Sequence, residues 1–224
     1  MGTNAIPFLL KILSYEESPT RKWLRKTTRK LPFHLRLLEQ DNTKSLEAAE
    51  AINAIGPGAE SAFSPLTNLF LSGKSLTAGI ALAGLGKNGV LFLISNLTNQ
   101  NLVICNTTAL SLGSSRSDFD IIVPALIKIL NDGTSPARSV AAISLGSLHH
   151  SPDLVIPILL DNLNSSNQIV GSYVIMALSE YGTNAKAAIP LLIKMTNDSD
   201  AMIREHAKNA LEKISPTSSD KKSK

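Results

Sequence analysis

The chain has 224 residues, 43% of them hydrophobic, 4% aromatic and 18% charged, with a formal net charge of +4. That apolar share supplies a core and excludes a wholly disordered chain, while a charged fraction below the roughly 25% of average globular proteins and the dominance of Leu, Ile and Ala favour helices packed on helices. The single Cys105 rules out an internal disulfide and a thiolate metal cluster, and no run approaches the ~18 apolar residues of a membrane span.

At the N-terminus, "GTNAIPFLLKIL" reads as a turn followed by an apolar helix. It follows no basic segment and lacks a small-residue cleavage site, so a soluble, cytoplasmic chain is expected. Next comes "SPTRKWLRKTTRKL", with Ser18 as N-cap and Pro19 at the first helical position. Arg21, Arg25 and Arg29 fall four apart, as do Lys22, Lys26 and Lys30, which merges two stripes into one cationic face. Trp23, Leu24, Thr27, Thr28 and Leu31 form the other face. Residues 1–31 are thus expected as an irregular N-terminal unit, with 19–31 the partner of the first helix. The cationic face is either solvated or a site for nucleic acid, acidic protein or lipid headgroups. The charge is local: without 21–30 and the tail "DKKSK", acidic residues outnumber basic ones.

From residue 32 on, apolar spacing predicts six helix pairs: 32–40 with 43–55, 59–71 with 74–85, 88–97 with 101–112, 117–130 with 135–147, 152–163 with 167–181, and 185–196 with 200–214. The pairs repeat. Pro124, Pro157 and Pro190 open leucine-rich runs at equal intervals, and the polar pairs Thr98-Asn99, Asn131-Asp132, Asn164-Ser165 and Asn197-Asp198 keep that same interval. A fixed period of this length marks a solenoid, in which each unit buries its faces against its neighbours. The prolines are expected to bend their helices and to free the carbonyls of Asp120, Asp153 and Lys186. Pro65 and its counterpart Leu91 stand closer together than one full period, so stacking should be disturbed there. Gly182, closing "ALSEYG", suits a left-handed C-cap. Residues 215–224 read as a disordered tail. The whole is an all-α chain, a single right-handed α-solenoid of about six to seven helix pairs over residues 1–214.

These units resemble the HEAT repeats, in the bacterial form called PBS-lyase-like HEAT. That form has an "AIPxLxxLL-D" first helix and a "VRxxAAxALG" second helix, with an Asp six residues before the Arg. Asp132 with Arg138 and Asp198 with Arg204 match; Glu47, Gly79, Cys105 and Gly171 stand at the arginine position of the other units. The resemblance covers residues 2–214 and implies architecture. The two guanidiniums are expected to cap or pair with the loop aspartate of their own or the next repeat.

Catalytic chemistry finds little purchase. "GLGKNG" at Gly84, Gly86 and Gly89 has dinucleotide-loop spacing but follows a helical pattern and reads as a loose inter-helix turn. "SGKS" at 72–75 has Asn68 where a phosphate loop needs glycine. His149, His150 and Asp153 form the only close set of metal-type ligands, in a loop, without a zinc spacing. Cys105 falls mid-helix as a packed side chain. No catalytic residue, cofactor or metal is expected. The leading expectation is a non-enzymatic scaffold that binds a protein or peptide on a concave surface of second helices. Its residues are Asn101, Asn106, Thr107, Arg138, Ser139, Ser172, Tyr173 and Arg204. The alternatives are an anionic partner on the basic segment and, from the resemblance alone, a phycobilin lyase or alkylpurine DNA glycosylase. The latter works with aromatic residues, and the one tryptophan lies in the N-terminal segment.

Overall fold

The computed structural model describes residues 2–15, 40–73, 75, 77–165 and 167–216, and these are helical with short connections. The helices are α1 (Ile6–Leu13), α2 (Gln40–Ile55), α3 (Phe63–Leu71), α4 (Thr77–Ala83), α5 (Lys87–Ser95), α6 (Leu102–Gly113), α7 (Phe119–Asn131), α8 (Arg138–Leu148), α9 (Pro152–Asn162), α10 (Gln168–Glu180), α11 (Ile189–Met195) and α12 (Ala201–Ile214). Contacts divide the chain into two compact units, residues 1–93 and 94–224. The boundary falls inside α5, in the repeat that the sequence shows to be short.

In the first unit, α1 buries Ile6, Leu9 and Leu13 on one stripe and packs against α2, whose Ala48, Ala49 and Ile52 answer it. The pairings expected from sequence, of the first helix with 19–31 and of 32–40 with 43–55, each involve residues outside the described ones. Within the described residues α1 packs directly on α2, and the stretch between them, which contains the expected helices 19–31 and 32–40 almost entirely, lies outside the described residues. The reason is chemical: α1 offers a narrow apolar stripe, and α2 presents small side chains that let it approach. α3 packs on α4, and Phe63 and Phe70 meet the edge of Phe92 with ring centroids 6.0 Å apart.

The "GLGKNG" turn between α4 and α5 is tight where a loose one was expected. Gly84 lies against Asn53, whose Nδ2 donates to the Ile80 carbonyl at 3.1 Å. A Cβ on Gly89 would stand 1.9 Å from the Leu82 carbonyl oxygen, and Gly86 holds φ +76°. These glycines serve the crossing of helices, and the spacing carries no phosphate-loop meaning.

In the second unit the period becomes local geometry. The second member of each polar pair makes the same turn: Asn99, Asp132, Ser165 and Asp198 each accept, through a side-chain oxygen, the backbone N–H two residues on, at 2.9, 3.0, 3.3 and 2.8 Å. At Asp132 the Thr134 hydroxyl and then the Thr134 amide hold the carboxyl below the usual carboxylate range. Two residues further, Asn101, Asn167 and Asp200 are N-caps of α6, α10 and α12, satisfying amides that no helix turn can reach. The fourth copy differs. Thr134 turns its hydroxyl onto Asp132 at 2.7 Å, and α8 starts only after Pro136.

Proline behaves in two ways. Pro124 and Pro157 sit inside α7 and α9 as expected, both exposed, as are Asp120 and Asp153, the residues whose carbonyls they free. Before Pro190 the helix is instead broken into a 3-10 segment, Gly182–Ala188, kinked at Ala185 (φ −88°, ψ 23°). The first unit repeats that break in Gly56–Ala62, kinked at Ala59, and in Thr3–Ala5 before α1. The helices expected over 59–71 and 185–196 therefore begin later as α-helix. The duplicated "GTNA" is one 3-10 turn used twice, and Gly182 holds the left-handed C-cap foreseen for it, at φ +53°. One period earlier His149 occupies the same place at φ +50° without glycine's freedom.

A candidate partner-binding face

The second helices of the second unit, α6, α8, α10 and α12, pack side by side along their length, far more closely than the first helices α7 and α9 do. Small residues permit it. A Cβ on Gly113 would stand 2.7 Å from the Ser144 Cβ, and one on Gly146, a period later, 2.7 Å from the Ala177 Cα. Closer spacing in the second-helix row makes it the inner row of this unit.

Helical spacing and the repeat period together lay out its free side. Val103, Pro136, Ile169 and Met202 form one row across the helices; Thr107, Val140, Tyr173 and His206 form the next; Leu110, Ile143, Met176 and Asn209 form a third. Val103, Leu110, Ile169 and Met202 are 53%, 54%, 62% and 58% exposed, and Val140, Ile143, Tyr173 and Met176 are half-buried. Charge enters only toward α12: Glu205 is exposed, and Glu180 pairs with Lys213 at 2.9 Å and stands 3.8 Å from the His149 Nε2. The face is thus apolar, almost uncharged and partly open to water, a combination that marks interaction surfaces on soluble domains.

Within that frame the residues singled out from sequence separate. Tyr173 and Ser139 are half-buried on the face, as is Asn106, whose Oδ1 is buried without a hydrogen-bond partner. Asn101 lies at the rim, its side chain occupied in capping α6 by accepting from the Val103 amide at 3.0 Å. Ser172 was expected to be exposed and is not: it is 2% exposed, and its hydroxyl lies 2.7 Å from the His206 Nδ1 between α10 and α12. The face residues that sequence reasoning missed are Val103, Leu110, Ile169 and Met202. Their signal was present, because applying the period to apolar as well as polar positions aligns them.

Arg138 and Arg204 do not pair with the loop carboxylates. Arg138 donates from Nε to the Leu130 carbonyl at 2.9 Å and from Nη2 to the Asn162 Oδ1 at 3.2 Å, bridging to the next repeat. Arg204 donates from Nη1 to the Asp198 and Ser199 carbonyls at 2.7 and 2.8 Å. Arg138 binds a carbonyl that the last turn of α7 leaves without a partner, and Arg204 binds two carbonyls of the loop after α11, while the aspartate side chains are engaged by the turn. Cys105, at the same repeat position, is buried and its thiol donates to the Leu97 carbonyl at 2.9 Å. Gly171 leaves its place open beside the Leu163 carbonyl. The carbonyl at this repeat position is thus met by a thiol in one unit and a guanidinium in another.

In the loop of His149 and His150, the His149 Nδ1 lies 2.9 Å from the Ser147 carbonyl and the His150 Nδ1 2.7 Å from the Ser151 hydroxyl. The His150 ring stacks on Phe119 at 4.3 Å, and no group of metal-ligating side chains occurs among the described residues. No helix among them is long and apolar enough to cross a membrane. Arg21, Lys22, Arg25, Lys26, Arg29 and Lys30, like most of the tail at 215–224, lie outside the described residues.

Residues 123–212 match the family model of HEAT repeats. Among solved structures, a crystal structure of an engineered protein is similar over 88% of this chain and 97% of its own, at 21% identity and a TM-score of 0.44. A second engineered protein is similar over 95% of this chain and 71% of its own, at 18% identity and a TM-score of 0.45. No curated protein matches. The matched residues run from α7 into α12, two helices to each period, packed in order along the sequence; residues 123–212 thus match HEAT repeats, and the described residues are all-α with the sequential packing of a HEAT-like α-solenoid.

Proposed function

We propose that this protein is a non-enzymatic scaffold that holds a protein partner on the second-helix face of residues 94–224. The observation that carries the reading is the exposure of Val103, Leu110, Ile169 and Met202 in register on neighbouring helices, with no charge among them. Water gains by leaving such a surface, and roughly 25 cal/mol is recovered per Å² of apolar area covered. The Asp132/Arg138 and Asp198/Arg204 pattern supports the PBS-lyase-like form of the repeat, a statement about architecture and not about lyase activity.

The test is a photo-crosslinking amino acid placed at Met176 on the face and, separately, at the exposed Lys194 on α11. In native extract a discrete protein adduct should form from Met176 alone and disappear when Ile169→Glu and Met202→Glu are added. Equal adducts from both positions, or indifference to the two glutamates, would sink the reading.

A second reading rests on the charge of residues 21–30, six basic and no acidic. It gives the chain an anionic partner, nucleic acid first. Binding to DNA or RNA should then fall linearly in log affinity against log salt. It should vanish on charge reversal of Arg21, Arg25 and Arg29, and salt-independent or absent binding by the wild type disposes of it.

A further inference from the structure

We draw no further inference here: the strongest candidate, the groove of about 570 Å³ between α1 and α3 lined by Pro7, Leu10, Lys11, Pro65, Asn68 and Leu69, opens broadly to solvent, and nothing in the structure shows what covers it.

Discussion

Tyr181→Phe removes one oxygen from the interior of residues 94–224, and its effect can be worked out beforehand. Tyr181 is 5% exposed, and its hydroxyl lies 3.0 Å from the Leu145 carbonyl and 2.9 Å from the His150 carbonyl, holding the end of α8 to the loop that follows. Phenylalanine keeps the ring but leaves the acceptors without that donor. A lost bond of this kind costs about 1 to 2 kcal/mol, which in a chain of this size lowers Tm by roughly 2 to 8 °C. Burial also pushes the Tyr181 phenol well above its ordinary ionisation near pH 10. The folded state thus holds the proton more tightly than the unfolded state, so this contribution is complete below about pH 10 and declines as pH rises beyond it. Melting followed by circular dichroism should show a constant gap between wild type and variant from neutral pH to about pH 10. Above that the gap narrows, because only the wild type must keep a buried phenol protonated. Phenolate absorbance gives a second reading: the difference between wild type and Tyr181→Phe should show no phenolate signal while the protein is folded, and should gain it only on unfolding. Equal melting of the two proteins, or a Tyr181 phenolate signal while the helices persist, would refute the reasoning.

Gly146→Ala should destabilise by about 1 to 3 kcal/mol in urea unfolding, although alanine is the better helix former by about 1 kcal/mol, because the new methyl group meets the Ala177 backbone at 2.7 Å. A more stable variant would show that the two helices can part freely. Asp200→Ala removes the acceptor for the Met202 and Ile203 amides at 2.7 and 3.3 Å and should cost about 1 kcal/mol, while Asp200→Asn should keep most of it. Indistinguishable Ala and Asn variants would exclude the cap as the source. Cys105 is buried, which pushes its thiol up, so iodoacetamide at mildly alkaline pH should alkylate it only in unfolded protein. Equal rates in folded and unfolded protein would contradict that placement.

The parts of this fold legible in sequence are those set by short-range chemistry repeated at a fixed interval. Asn99, Asp132, Ser165 and Asp198 make the same turn because each needs only an oxygen placed two residues before an amide. The face was half legible. Its low charge and its place on the second helices could be read from the repeat, but Ser172 was misread as exposed, since its burial depends on how closely α12 approaches α10. The arginines were legible as caps but not by target. Asp198 and Arg204 stand six residues apart, yet a guanidinium meets a carboxylate only if the turn has not already claimed it.

Sequence by itself determined the all-α class, the constant repeat period, the turn and cap residues, and the apolar stripe of each helix, because all of these follow from contacts within a few residues along the chain. Only the tertiary structure decided that α1 packs on α2 across the residues between them, that the chain divides into two units within α5, and that Val103, Ile169 and Met202, aligned by the repeat period, are left exposed. Those outcomes depend on how near two helices can come. That distance is set jointly by side chains such as Gly113 with Ser144 and Gly146 with Ala177, each pair drawn from two successive repeats, and a local pattern records neither the distance nor what the approach leaves facing water.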